Sequence, residues 1–182
     1  MNDTAEIYYS RAYAYFALII MVGLTSFLTY IVLTEDAKKW KGSGLVYLAG
    51  FALLLLFSSI YIIVRYLIPA VTKKSAIILN SEFIIDKLRN NKIPWNNVRE
   101  IRSIYGPANF IAIDLINKRE VTHQTKNIFK KILYVNNNLI YGTPILIPTQ
   151  FIEGSNKELM EVFLSFFKRT RTAGNILLQE GG

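Results

Sequence analysis

Three carboxyl groups beyond residue 75 are the first candidates for chemistry: Asp86, Glu100 and Asp114. Carboxyl groups that meet in a fold can serve as a general acid and a general base. Each of the three lies in a strand-like run, however, where a charge on the outward face is the simpler interpretation. No GxSxG motif and no cluster of metal-ligating residue types accompanies them. We therefore expect no catalytic residue, no metal site, no cofactor and no enzymatic activity.

Other reactive residue types are scarce. The single histidine, His123, lies in a polar run, which favours an exposed loop residue over a ligand or a general base. The chain has no cysteine, which excludes disulfides, thiolate metal sites and a cysteine nucleophile. Residues 141–148, YGTPILIP, lack the several glycines and the lysine of a phosphate-binding loop, and they predict a turn that enters a strand.

Basic residues are the remaining chemical feature, and the net charge is +8. Up to residue 68 the chain has five Lys or Arg and four Asp or Glu, and beyond it sixteen and nine. A basic domain near a membrane is attracted to anionic headgroups; ordinary solubility charge is the alternative interpretation. Scattered basic residues without an aromatic pattern argue against nucleic acid. We expect weak, salt-sensitive membrane-surface contacts at Arg65, Lys73, Lys74, Lys126, Lys130 and Lys131.

Two long apolar segments precede this basic part. Residues 12–33 contain no charge, and residues 45–68 contain only Arg65, close enough to the end for its side chain to reach the headgroups. Either segment is long enough to cross a hydrocarbon core of roughly 30 Å. The first run is too long for a signal peptide and lacks a clear cleavage site. We predict two transmembrane helices, the second ended by Pro69, joined by a short loop at residues 34–44.

A pair of spans places both termini on one side of the membrane. The loop carries three lysines, whereas Arg11, Arg65, Lys73 and Lys74 flank the opposite ends of the spans, with further basic residues beyond them. By the positive-inside rule, this small excess of basic residues on the side of the termini favours a cytoplasmic location for both termini and for the C-terminal domain.

From residue 75 the sequence changes to short β-branched runs separated by Asn, Gly and Pro. This sequence pattern predicts a curled antiparallel sheet of about seven strands. Residues 155–170 instead have apolar residues at helical spacing, begin with a capping box formed by Ser155 and Glu158, and end in basic residues. One C-terminal helix is expected to plug the open end of the sheet. The predicted strands are residues 75–80, 82–88, 90–94, 98–104, 109–116, 130–135 and 143–148.

A Pro-Trp step interrupts the strands in residues 92–101, KIPWNNVREI. Proline suits the first position of a short helical turn, so Pro94 is expected to end one strand. Trp95 then folds back onto the sheet as a structural core anchor, and Val98 begins the next strand. The alternative is an exposed Trp95 that contacts a ligand.

The order of these elements resembles a pleckstrin-homology-like (PH-like) domain in its bacterial, membrane-tethered form. More narrowly, the chain is similar to a family of small bacterial membrane proteins that have two spans followed by such a domain. The segments that carry the resemblance are IILNSEFIIDKL, KIPWNNVREI, NFIAIDLI and YGTPILIPTQFIEGSNKELMEVFLSFF. The stretch between Asn117 and Asn138 departs from it, being longer and more basic. The implied division is an N-terminal segment at 1–11, spans at 12–33 and 45–68, a PH-like domain at 75–170 and a tail at 171–182.

The resemblance implies a membrane-anchored, non-catalytic binding or scaffold protein of the bacterial inner membrane. Its PH-like domain is expected to engage a protein partner or the membrane surface, and a sheet edge beside the helix is a candidate for strand addition. The residues ILNSEF, between the first two predicted strands, include no Lys or Arg, which argues against a phosphoinositide pocket of the kind used in the wider fold. The alternative function is an immunity-type membrane protein that neutralises a cognate bacterial toxin.

Overall fold

The structure, a computed structural model, describes residues 4–33, 43–106, 108–119 and 125–180, and gives the backbone alone at 43, 45, 48 and 173–180. The chain forms two compact units. One unit, the helical unit, is Tyr9–Lys74; the other, the β-domain, consists of Met1–Tyr8 together with Ser75–Gly182. The expectations for most of the connecting loop and for His123 lie outside the described residues.

The helical unit contains two helices that are long and apolar enough to cross a membrane, at Arg11–Ile31 and Ala49–Val71. They belong to α1, Arg11–Leu33, and to a second helix that begins with α2, Ser43–Ile62. Few of their side chains are buried. Hydroxyl side chains bond within their own helix; the Thr25 hydroxyl, for example, donates to the Met21 carbonyl at 2.8 Å. Such bonds allow a hydroxyl to remain in apolar surroundings.

The second helix continues through Pro69, in contrast to the expectation that this proline ends it. After α2 the chain makes a π-helical turn at Ile63–Leu67 and then resumes as α3, Ile68–Val71. In this turn the Ile68 amide donates to the Ile63 carbonyl, five residues back. Proline lacks an N–H and its ring crowds the carbonyl four residues before it, so the wider turn accommodates it.

Three of the basic residues that flank the apolar segments take part in the end of α3. Lys73 adopts a left-handed conformation with φ 52°, and the Lys74 amide then donates to the Pro69 carbonyl at 2.9 Å. This is the backbone pattern of a Schellman helix end, here without the usual glycine. The Arg11 Nε donates to the Ala70 carbonyl at 3.2 Å, and a cation is favourable at this negative end of the helix dipole.

The strands of the β-domain form two antiparallel sheets. The expected single curled sheet of about seven strands is therefore replaced by one sheet of four and another of three. The chain passes from β4 to β5 through a 3₁₀ turn at Trp95–Asn97, at the Pro-Trp step. The first sheet has the order β1, Ala5–Tyr8; β2, Ser75–Leu79; β3, Phe83–Asp86; β4, Asn91–Pro94. The second has the order β5, Val98–Ile104; β6, Phe110–Leu115; β7, Ile145–Pro148.

Strand β1 differs from the expectation for residues 1–11, which is an N-terminal segment without a strand. It pairs with β2, with Ile7 opposite Ile77, and both side chains are buried. The Tyr8 carbonyl also accepts from the Glu153 amide at 2.9 Å, which ties the strand to the chain after β7. The β-domain thus includes residues from before the helical unit.

The predicted strand at 130–135 is wrong. These residues belong to α4, Ile128–Tyr141, which connects β6 to β7. Asn127 caps the helix, with its side-chain oxygen accepting from the Lys130 amide at 3.2 Å. Gly142 ends it in the left-handed conformation, with φ 73°, that glycine adopts most readily.

The C-terminal helix is present as α5, Asn156–Glu180, and it extends beyond the predicted end at residue 170. Its capping box is formed: the Glu158 carboxylate accepts from the Ser155 amide at 2.8 Å, and the Ser155 hydroxyl from the Glu158 amide at 3.2 Å. Hydrogen bonds from the Ser155 backbone amide and side chain to the Glu158 carboxylate lower the pKa of Glu158. The helix packs against β5, β6 and the Trp95 turn, and its stripe of Leu159, Phe163 and Phe166 is buried.

Candidate functional site

The most unusual surface of the β-domain is the outward side of α4. Five of its apolar side chains are at least 60% exposed, among them Phe129 at 79% and Leu139 at 78%. A surface helix of a globular domain normally turns its apolar stripe inward. Contiguous exposed apolar surface marks sites of interaction with proteins or membranes. We call this set of side chains the apolar face: Ile128, Phe129, Ile132, Leu139 and Ile140.

The inward side of α4 is held by polar groups. Tyr134 and Asn137, which are three residues apart and therefore on one side of the helix, are its buried residues. The Tyr134 hydroxyl donates to the Asn91 side-chain oxygen, and the Asn137 side-chain amide donates to the Pro144 carbonyl at 3.2 Å. These directional bonds fix the rotation of the helix and leave its apolar side outward.

Two basic side chains donate hydrogen bonds to backbone carbonyl groups at the C-terminal end of α4. The Arg102 guanidinium donates to the Tyr141 carbonyl, and the Lys118 ammonium donates to the Gly142 carbonyl. Lys118 also forms an ion pair with Asp114, at 3.0 Å. Positive charge is favourable at this end of a helix. Because the cap at Asn127 holds the other end, α4 is anchored at both ends and in its middle.

A buried polar cluster supports α4 from the first sheet. Asp86 is fully buried; one carboxylate oxygen accepts from the Arg89 backbone amide at 3.1 Å, and the other accepts from the Asn91 side-chain amide at 3.4 Å. Asn91 in turn accepts from Tyr134. Burial of Asp86 raises its pKa, an effect opposed by the hydrogen bond from the Arg89 amide and by the charges of Arg89 and Lys130. The chain of contacts joins a buried carboxyl group to α4.

At acidic pH the parent protein is expected to be more stable than an Asp86→Asn variant. The raised pKa means that the folded protein binds this proton more tightly than the unfolded chain does. The resulting stability is fully present below the unfolded pKa of about 4 and is lost as pH rises through the folded pKa. Urea unfolding of both proteins across the acidic range, followed by tryptophan fluorescence, should show their stability difference shrinking or reversing as pH rises. A difference that grows with pH would contradict the assignment.

The predicted membrane-contact residues are divided between the two units. Arg65 lies in the π-helical turn of the helical unit, and Lys73 and Lys74 follow α3. In the β-domain, Lys126 and Lys131 are exposed. The Lys130 ammonium instead donates to the Asn90 carbonyl at 3.0 Å, and burial lowers its pKa.

Trp95 lies in the core of the β-domain, with only 5% of its surface exposed. Its indole N–H donates to the Asn80 carbonyl at 2.7 Å, and its ring stacks on Phe166 with 6.4 Å between centroids. The side chain therefore joins the turn between the sheets to α5.

The three carboxylates that were considered for catalysis are divided between the two sheets. Glu100 and Asp114 are opposite one another on β5 and β6, and Asp86 lies on β3. Asp114 is paired with Lys118. Within the described residues, no group of three His, Cys, Asp or Glu side chains is placed to hold a metal ion.

The sheet edge beside α5, a candidate for strand addition, is irregular. The register of β5 shifts between Val98 and Glu100, and the carbonyl of Arg99 accepts from the Arg171 guanidinium at 3.1 Å. Irregular register and occupied backbone groups both discourage pairing with a further strand. The apolar face of α4 is therefore the better candidate site.

This face is not expected from the sequence pattern, which predicts a strand at residues 130–135. A helical signal is present in the sequence: Ile128, Ile132 and Leu139 recur at intervals of four and seven residues, and Asn127 is a capping residue type. The sequence pattern does not reveal that this stripe faces outward.

Comparison with known proteins found no matching family model, no matching curated protein and no matching solved structure.

Proposed function

We propose that this chain is a membrane-anchored, non-catalytic binding module. The helical unit anchors it, and the apolar face of α4 makes the functional contact, with a protein partner or with the membrane surface. The observation that carries the proposal is the combination of at least 60% exposure of the five apolar side chains with a polar, hydrogen-bonded inner side. Such a helix gains stability when its outward side is covered.

The anchoring role rests on the two apolar helices, each long enough to span a bilayer. The location proposed for them is the bacterial inner membrane, with both termini and the β-domain in the cytoplasm, on the basis of the flanking basic residues.

A PH-like fold is part of the same proposal. Antiparallel sheets followed by a C-terminal helix support it. A PH-like assignment has to accommodate two differences from the expected single sheet. The strands divide into sheets of four and three, and α4 is inserted between β6 and β7.

The proposal predicts that α4 is covered in its native membrane. Because the chain has no cysteine, a single Leu139→Cys substitution provides a specific probe, and Asn138→Cys, exposed on another side of the same helix, is the matched control. In membranes from cells that express the protein, a charged, water-soluble maleimide should modify Leu139→Cys about tenfold more slowly than Asn138→Cys. A face covered most of the time exposes its thiol only in a minor state. After unfolding in dodecyl sulfate, the two rates should be equal.

Equal rates in the membrane would mean that the apolar face stays open to water, and the proposed binding role of α4 would be lost.

A further inference from the structure

We infer that the lipid bilayer itself covers the apolar face of α4, with the helix lying in the interfacial region while its polar side remains attached to the β-domain. This inference rests on the proposed function and names the partner of the same surface. A helix with one apolar and one polar side can lie in the plane of a membrane interface. On the polar side of α4, hydrogen bonds to Asn91 and Pro144 replace the bonds that an isolated interfacial helix would make to water.

The connection to the helical unit keeps a bilayer within reach. Helix α3 ends at Val71 and β2 begins at Ser75, so only residues 72–74 separate them. Three residues extend to about 10 Å at most. Tethering at such a length gives a high effective concentration of the second binding surface, and weak individual contacts suffice.

The charge around α4 complements an anionic membrane. From residue 121 to residue 152 the sequence contains no Asp or Glu, a stretch that includes the whole of α4 and β7. Lys126 and Lys131 are exposed within this stretch. Lysine side chains beside an inserted apolar surface can extend their ammonium groups to the headgroups.

The composition of the outward side indicates shallow insertion. Asn136 is exposed at about the same angle around the helix as Phe129, so the apolar side includes a polar group. An amide is tolerated at headgroup depth but is costly in the hydrocarbon core. The expected depth is therefore that of an interfacial helix, with Phe129 and Leu139 entering the acyl boundary.

The contact requires no folding step at the membrane. The caps at Asn127 and Gly142 and the buried Tyr134 already hold α4 as a helix in the β-domain. A preorganised helix avoids the ordering cost that a disordered segment meets on binding. Its insertion should also persist at high salt, because apolar burial, unlike the attraction of exposed lysines, is not screened.

Nitroxide labels on the full chain provide the test. Labels at Leu139→Cys and, as control, Asn138→Cys would be compared after reconstitution into vesicles of equal parts phosphatidylcholine and phosphatidylglycerol. Oxygen concentrates in the acyl region, whereas a nickel chelate stays in water. We expect the label at residue 139 to collide with oxygen and to be shielded from the chelate, and the label at residue 138 to show the reverse.

A second set of variants isolates the apolar contribution. With the label at Ile140→Cys, the double change Phe129→Gln and Leu139→Gln should lower the ratio of inserted to free helix by about 100-fold, roughly tenfold for each residue. The control change Asn138→Gln, on another side of the helix, should leave the ratio unchanged. All three positions are exposed, so these changes are not expected to unfold the domain.

The outcomes separate this inference from the proposed function. Access of the nickel chelate to the label at residue 139 in pure lipid would overturn the bilayer assignment. Shielding of that label from both reagents would also overturn it, because a protein surface would then cover the face. In either case, maleimide protection in native membranes would still support a binding module with a different partner.

Discussion

Replacing Trp95 with alanine is expected to lower the free energy of unfolding of the β-domain by about 3–5 kcal/mol. The change removes a side chain that is only 5% exposed. It also removes the hydrogen bond to the Asn80 carbonyl and the stacking on Phe166. Domains of this size have about 5–15 kcal/mol of stability in total. The variant should therefore unfold at a much lower denaturant concentration.

Pulse proteolysis of the full chain across a urea series measures this loss, because it reports the unfolded fraction without using tryptophan fluorescence. Tyr105→Ala is the matched control: it removes an aromatic side chain that is 71% exposed, and it should change stability by less than about 0.5 kcal/mol. The full chain is required, because a fragment that starts near residue 73 would lack β1. A midpoint for Trp95→Ala equal to that of the control would show that the indole contributes little to the core.

Replacing Tyr134 with alanine is expected to cost a similar amount, about 3–5 kcal/mol, and to release α4 from the β-domain. Tyr134 is fully buried and donates its hydroxyl proton to Asn91, so the variant leaves both a cavity and an unpaired buried amide oxygen. Tyr134→Phe keeps the ring and should lose only about 1–3 kcal/mol. Ile132→Ala, on the exposed side of the same helix, is the control for helix truncation and should have little effect.

Hydrogen exchange measured by mass spectrometry distinguishes loss of α4 from general unfolding. In Tyr134→Ala, the amides of α4 should exchange faster than those of β6, because the helix loses its central anchor and then opens locally. If α4 kept the protection seen in the parent, its caps would be sufficient to hold it and the buried cluster would have another role.

The parts of the fold that sequence could predict are those determined by local pattern. The two long apolar helices follow from composition, and most strands follow from β-branched runs bounded by turn residues. The capping box at Ser155 and Glu158 located the start of α5. In each case the signal lies within a few residues of the element it specifies.

The errors come from partners that are distant in the sequence. Strand β1 is short, with only Ile7 buried, and its assignment depends on a partner strand that begins at Ser75. For α4, the β-branched residues of the 130–135 run favoured a strand, and the helix is oriented by contacts of Tyr134 with Asn91, 43 positions away. Lys130 is similar: nothing local indicates that its ammonium binds the Asn90 carbonyl.

The pairing of β1 with β2 has a further consequence for topology. Tyr8 and Ser75 are partners in the ladder, so the chain leaves the β-domain and re-enters it at adjacent points, with the whole helical unit between them. A segment that departs from and returns to one place on a folded body must cross a bilayer an even number of times. An even number of crossings means that the two apolar helices insert together: both cross the bilayer or neither does. Proteolytic cleavage after α1 would also remove an edge strand from the sheet, so the pairing of β1 with β2 favours retention of α1.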